Sequence, residues 1–400
     1  MLTTPDFAEI SADADIATAR HGNRAKCLQR LVRLGLPVPL TVALPFETVR
    51  QIAKGRFPDM AALTGIFEPG ALLSVRSSSQ AADWGGPGTI LNIGMNDAVA
   101  ENLAQTHGYS VAEELYLSFI RTYAVEVLRL DADLFGGTMT PRLAKAHFED
   151  EMEEPFPQDI QTQLTEVLRS MARAWEGTTA RLLRQAQGAP EDAGLGLVVQ
   201  RMALGIGPGV SGAGVAQFVS PATGLKQLTG RYMPQGQRAT TGPADKAEFI
   251  ERDERGPALE DHAPEAVAAL RDAGALMRTH LREEMQIEFT LRDGVLAVLD
   301  AVRCPRSAQA EVQIAVSLAE DGVIPQEVAL TRIAPFTLNQ MLHRQVSPEA
   351  ARDVLTRGIA AAPGAATGRL VFSATAAQAA AAQGEMSILV RRETSPEDIR

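Results

Sequence analysis

The chain has 400 residues, 45% of them hydrophobic and 22% charged, which excludes disorder, collagen and coiled coil as its main organisation and allows two or three buried cores. Its 49 acidic residues outnumber 38 basic ones, for a net charge of −11. That balance repels a nucleic-acid backbone, and only a local basic patch would hold a small polyanion such as a nucleotide. No stretch approaches ~18 consecutive apolar residues, so no membrane-spanning helix is expected. Met1–Ile10 lacks the basic and apolar regions of a signal peptide. The two cysteines, Cys27 and Cys304, have no zinc-motif spacing and make no disulfide framework, so the expected compartment is the cytoplasm.

In chain order, Leu28, Leu31 and Val32 repeat at helical spacing and stop at Leu34-Gly35-Leu36-Pro37-Val38-Pro39, where glycine suits a C-cap and proline forbids continuation. Ala71–Val75 and Thr89–Ile93 are expected as strands flanking the turn-rich segment Asp83–Gly88. From about Ser110 to Gln187 the pattern is helical, carried by Leu115, Phe119, Tyr123 and Val127 and by Leu164, Leu168, Met171 and Trp175. Strand character returns over Gly194–Arg231, and a helix is expected from about Pro264 to Glu283. A hairpin follows, with Met285–Leu291 and Val295–Asp300 joined through Arg292-Asp293-Gly294. Helical linkers are expected over Ser307–Thr356. After Ala362–Gly368 come a strand at Arg369–Phe372, an alanine-rich helix at Ala374–Ala382 and a strand at Ile388–Val390. The chain then stops in mid-pattern at Ser395–Arg400, and is expected to lack the rest of that last domain.

Three groupings have chemical potential. Gly205, Gly207, Gly209, Gly212 and Gly214 lie between two strands; backbone N–H groups freed of Cβ atoms can cradle phosphate, although a loose hairpin loop needs the same glycines. No Walker A pattern is present, and the proline in Gly-Ile-Gly-Pro-Gly sits where a dinucleotide-binding helix should start. Arg76 ends an apolar strand beside Ser77, Ser78, Ser79 and the Gly85–Gly88 loop, an arrangement suited to clamping a polyphosphate or to a structural salt bridge. On the hairpin, a three-residue loop pairs Leu291 with Val295, Glu288 with Val298 and Gln286 with Asp300. Glu288 and Asp300 are then diagonal neighbours with Cβ atoms roughly 7–8 Å apart, able to share one Mg²⁺. A two-residue loop would place Asp300 on the opposite face, and a merely polar outer face is the other alternative. The six histidines form no metal-spaced pair and are expected to be structural or superficial.

The order of these segments resembles the N-terminal, nucleotide-binding portion of the pyruvate phosphate dikinase family. The resemblance covers nearly the whole chain. It is sharpest at Leu34–Pro39, Leu73-Ser74-Val75-Arg76-Ser77 and Thr89–Asp97. It continues through Ser211–Ala216, Ser220–Gly224, Ile287-Glu288-Phe289-Thr290 and Pro363–Gly368 to Glu393–Arg400. It implies an α+β chain with an ATP-grasp fold: a first lobe over 1–109, a helical insertion over 110–190 and a second part over 191–306. A helical linker over 307–357 and an incomplete swivelling β/α phosphohistidine domain over 358–400 would follow. The implied function is binding of ATP and Mg²⁺ and donation of a phosphoryl group to a histidine in cis, beyond Arg400, on the route to phosphoenolpyruvate. Within it, Arg76 would hold phosphates, and Gly85, Gly86 and Gly88 would cover them. Gln200 and Met202, on the strand Val198–Met202, would supply the adenine hinge, and Glu288 and Asp300 would hold Mg²⁺.

The chain also departs from that family's pattern. Arg24 stands at the phosphate-binding lysine of a Gly-Gly-Lys-Gly setting, here Gly22-Asn23-Arg24-Ala25. The family's Asp-Ile-Glu is Gln286-Ile287-Glu288, its Leu-Gln-Thr-Arg is Leu299-Asp300-Ala301-Val302, and its Gly-Glu-Phe is Gly230-Arg231-Tyr232. Arginine keeps the charge of lysine but not its shape. Changes clustered at Arg24, Gln286, Val302 and Arg231 motivate the alternative of a degenerate, non-catalytic nucleotide-binding or regulatory protein.

Overall fold

The computed structural model describes residues 6–81, 84–237, 246–252, 256–343 and 364–391, with the short pieces 346–347, 350–351 and 353–355. Asp83 of the expected turn, Thr356 at the end of the linker, Ala362, Pro363 and the terminal motif Glu393–Arg400 lie outside the described residues. The chain forms two compact units, the first from 1–218 and 227–304, the second from 219–226 and 305–400. Helices and largely antiparallel sheets are mixed throughout, as in an α+β chain. No described helix is long and apolar enough to cross a membrane.

Among its described residues, the first unit contains two five-stranded sheets. One has the order β1-β2-β5-β3-β4, from Ala8–Glu9 (β1), Thr41–Leu44 (β2), Leu73–Ser79 (β3), Ile90–Ile93 (β4) and Leu195–Arg201 (β5). Alternation along its strands supplies two cores, because successive side chains point to opposite faces. Val42, Leu44, Leu73, Val75, Leu197 and Val199 pack in one, whereas Ala43 and Val198 join Ala25, Leu28 and Leu31 in the other. Arg76 follows Val75 and so is turned from the first core; it pairs opposite Val198.

The first core is completed by the helices Tyr109–Thr122, Pro141–Met152 and Ile160–Glu176. Leu115 and Phe119 continue the expected repeat to Tyr123 and Val127, but over Tyr123–Val127 the helix widens into a π turn, with Leu128 N–H bonded to Tyr123 C=O. Gln163, fully buried, ties this layer to the sheet. Its Oε1 accepts from Gly94 N–H at 2.7 Å, and its Nε2 donates to Met95 C=O at 2.9 Å and Pro157 C=O at 2.7 Å.

The second sheet has the order β10-β9-β6-β7-β8, from Gly212–Val219 (β6), Lys226–Pro234 (β7), Glu248–Phe249 (β8), Met285–Arg292 (β9) and Val295–Arg303 (β10). Met285, Ile287, Phe289 and Leu291 enter the second core together with Val267, Leu270 and Met277 of the helix Pro264–Leu281. The β9–β10 hairpin corrects the expected pairing. Val295 pairs with Arg292, so the loop is the two-residue Asp293-Gly294, both at positive φ, as a tight hairpin turn demands. Left regular, that register would send Asp300 to the far face. A β-bulge between Val298 and Asp300 inserts Leu299 and brings Asp300 directly opposite Glu288. The two carboxylates therefore share a face as direct rather than diagonal neighbours.

In the second unit, Ser307 caps the helix Ala308–Glu320, accepting from Ala310 N–H at 3.1 Å and donating to Ala222 C=O at 2.6 Å. The helices Gln326–Arg332 and Pro335–Leu342 follow. Further on, Arg369–Val371 (β11) and Ser387–Leu389 (β12) pair in parallel through the helix Ala374–Ala382, one residue from the expected strand ends.

Candidate functional site

Sheet alternation and the bulge bring Arg76, Glu288 and Asp300 together, and Arg24 joins them from the helix Thr18–Arg33, far apart though the four are in sequence. Arg76 Nη1 donates to Glu288 Oε2 at 2.5 Å and lies 3.9 Å from Asp300 Oδ2. Arg24 Nε donates to the same Asp300 Oδ2 at 2.9 Å, and Arg24 Nη1 donates to the Ser77 carbonyl. Asp300 Oδ1 accepts from the Ala301 N–H at 2.9 Å. Arg76 and Asp300 are each only 5% exposed, so these pairs are largely removed from water. Burial pulls the Arg76 guanidinium down, and the carboxylates of Glu288 and Asp300 more than offset it, holding Arg76 above its ordinary value. Among the described residues its buried Nε has no hydrogen-bond partner.

Arg24 reaches this cluster because the helix Thr18–Arg33 is broken at Gly22, where φ is +83° and ψ 173°. A Cβ at Gly22 would lie 1.9 Å from the Ser78 carbonyl oxygen. The Ser78 hydroxyl fastens both sides of the break: it donates to His21 C=O at 2.7 Å and accepts from Ala25 N–H at 3.1 Å. Gly22 and Ser78 stand in the stretches Gly22–Ala25 and Ser77–Ser79 read from the sequence, but the helix break they make together was not foreseen, although a glycine interrupting an otherwise helical segment is its signal.

Arg24 and Ser77–Ser79 line a cavity of about 500 Å³ together with Gly85, Gly86 and Gly88. Gly85 and Gly86 have positive φ, and a Cβ on Gly86 would approach Ser77 Oγ to 3.1 Å. Cys27 also borders the cavity; burial, reinforced by Asp300, pushes its thiol up to about 12, and it donates to Ala301 C=O as an inert group. Gln200 and Met202 are not brought into this cavity. Gln200 is buried in β5, its backbone pairs with both Thr41 and Ser74, and its amide donates to Thr41 Oγ1 at 3.0 Å. Met202 N–H donates to Leu72 C=O, and its sulfur accepts from Asn92 N–H at 3.1 Å.

A second cavity of about 350 Å³, not foreseen from the sequence, shares Thr89 with the first and is lined by Asn92, Glu114, Met233 and Gln237. Asn92 and Gln237 exchange two amide hydrogen bonds, of 3.1 and 2.8 Å. Of the glycine group at 205–214, Gly212 and Gly214 lie on β6, and Gly205, Gly207 and Gly209 sit in a packed loop before it. Gly209 N–H donates to Asp293 Oδ1 at 2.7 Å and Gly207 N–H to Gln235 Oε1 at 3.2 Å, so protein acceptors take these donors. Of the other departures, Val302 borders the first cavity, Gln286 accepts from Gln217 Nε2, and the Arg231 guanidinium lies over the Phe249 ring. His21 is buried, and its Nδ1 accepts from Ala17 N–H.

The donor set suits a hard divalent cation shared with a phosphate ligand. Two carboxylates face each other from neighbouring strands, and Mg²⁺ is usually held by one or two carboxylates plus substrate oxygens. Among the described residues no group of three histidine, cysteine or acidic side chains gathers into an all-protein cage. The two arginines and the orphaned Arg76 Nε are donors of the kind a phosphate engages.

No protein-family model matches the chain. It is 33% identical to a pyruvate, phosphate dikinase of Rhizobium meliloti, over 95% of this chain and 48% of that protein. It is likewise 33% identical to the Clostridium symbiosum enzyme of that name, over 84% of this chain and 41% of the relative. A chloroplastic pyruvate, phosphate dikinase of Oryza sativa subsp. japonica also matches at 33%, over 85% and 38%. The chain thus spans less than half the length of these relatives.

Proposed function

The chain belongs to the pyruvate, phosphate dikinase family, and from that premise we propose that its first unit is an ATP-grasp module that binds Mg·ATP and donates a phosphoryl group to a histidine outside these 400 residues. The observation that carries this reading is the convergence of Arg24, Arg76, Glu288 and Asp300 beside a glycine-lined cavity. In-line phosphoryl transfer asks a protein mostly for positioning and charge neutralisation, and these groups provide both. Glu288 and Asp300 would hold Mg²⁺, which when bound neutralises charge on the phosphate oxygens. Arg76 and Arg24 would turn to the phosphates, with Gly85, Gly86 and Gly88 above them. The second cavity, with its Asn92–Gln237 amide pair, offers a seat for the base.

Two of the departures touch each other, which favours a retuned site over a decayed one: Arg24 and Asp300 form a single ion pair. A degenerate site has no reason to keep charges matched at positions so far apart in the chain. The transfer of a phosphoryl group toward phosphoenolpyruvate and a cytoplasmic setting belong to the same proposal. Calorimetric titration tests it. Mg·ATP should bind the folded wild-type chain with micromolar affinity, and Glu288→Ala and Arg76→Ala should each abolish the heat. No binding by the wild type would overturn the reading.

A further inference from the structure

The four charges at the site sum to zero, and each is already paired. Arg76 bonds Glu288 at 2.5 Å, Arg24 bonds Asp300 at 2.9 Å, and Arg76 bridges the two pairs at 3.9 Å. A free divalent cation reaching the carboxylates would have to strip away the guanidiniums, leaving Arg76, 5% exposed, as an uncompensated buried cation. A free polyphosphate taking the guanidiniums would leave the Asp300 carboxylate, equally buried, unpaired and facing new negative charge. Only a ligand that carries both a divalent cation and a polyphosphate can replace all four partners at once.

We propose that the Arg24–Asp300 and Arg76–Glu288 pairs make this site selective for the cation–nucleotide complex by holding it closed to either component alone. This rests on the nucleotide reading above and deepens it. Arg24 is then a specificity determinant: in the free protein it blocks Asp300, and in the complex it is released to the phosphates. Because coupling between two ligands is reciprocal, the cation strengthens nucleotide binding by the factor by which the nucleotide strengthens cation binding.

Breaking the Arg24–Asp300 pair from either end should therefore open the site to the component it excluded. Binding of Mn²⁺ alone is followed by the electron paramagnetic resonance of the free ion, with the double variant Glu288→Ala, Asp300→Asn subtracting cation held elsewhere. Binding of ATP in excess chelator is followed by equilibrium dialysis. Arg24→Gln should tighten Mn²⁺ alone by roughly tenfold, and Asp300→Asn should tighten metal-free ATP by roughly as much. A phosphate-contact role for Arg24 without the blocking role would leave free Mn²⁺ unmoved. Circular dichroism checks each variant for folding, and Arg24→Ala or Asp300→Ala replaces one that does not fold. Affinities that stay flat or weaken in either arm, while the wild type takes up Mn·ATP, overturn this inference alone. Failure of the wild type to take up Mn·ATP removes the nucleotide reading and this inference together.

Discussion

Replacing Gly22 by alanine attacks the site through the backbone rather than through a charge. Two costs add. At φ +83° and ψ 173° the residue sits in a region that side chains avoid, which costs about 1–3 kcal/mol. The new Cβ would also stand 1.9 Å from the Ser78 carbonyl oxygen and 2.5 Å from its hydroxyl, so backbone has to move. Overpacking of that kind costs about 1–3 kcal/mol, giving a total loss of roughly 2–6 kcal/mol. Gly35 supplies the control: its φ is +75°, but nothing lies within 4 Å of a Cβ there. Gly35→Ala therefore carries only the conformational cost, about 1–2 kcal/mol. Urea unfolding followed by the fluorescence of Trp84 and Trp175 measures both variants, with an unchanged slope certifying a true stability change. If Gly22→Ala loses no more than Gly35→Ala, the close approach to Ser78 is not what holds the helix break in place.

Arg76→Met should destabilise the first unit by roughly 3–5 kcal/mol, because it leaves Glu288 and Asp300 facing each other without their shared cation; a shift in urea midpoint that corresponds to under 1 kcal/mol would contradict this. Gln163→Ala strands three backbone groups and should cost about 2–5 kcal/mol in the same assay. Burial, followed by the charge of Arg20, holds His21 below its ordinary 6.5. The unfolded chain then takes up the proton more readily, so stability is full above 6.5 and falls as pH drops through the window between 6.5 and the lowered value. His21→Gln should remove that part of the slope, which urea midpoints at about pH 7.5 and about pH 5 would reveal.

Local patterns carried much of the fold into the sequence. Arg76 could be picked out because it follows an alternating apolar strand and precedes three serines, and the Asp293-Gly294 turn announced the hairpin. The phase of Asp300 was not legible. The bulge at Leu299 has no glycine or proline to mark it, and a one-residue change flips a side chain to the other face. The Arg24–Asp300 pair spans 276 positions, so each residue on its own reads as an isolated departure. Gln200 illustrates the converse: its place on a central strand was readable, but the pairing of its backbone on both edges depends on strands remote in sequence.

The most direct test of the account is a crystal structure of the chain with Mg²⁺ and a non-hydrolysable ATP analogue. The metal should lie between Glu288 and Asp300, with Arg24 and Arg76 turned from those carboxylates onto the phosphates. A nucleotide bound elsewhere, with the four-charge cluster intact as it stands in the free protein, would contradict it.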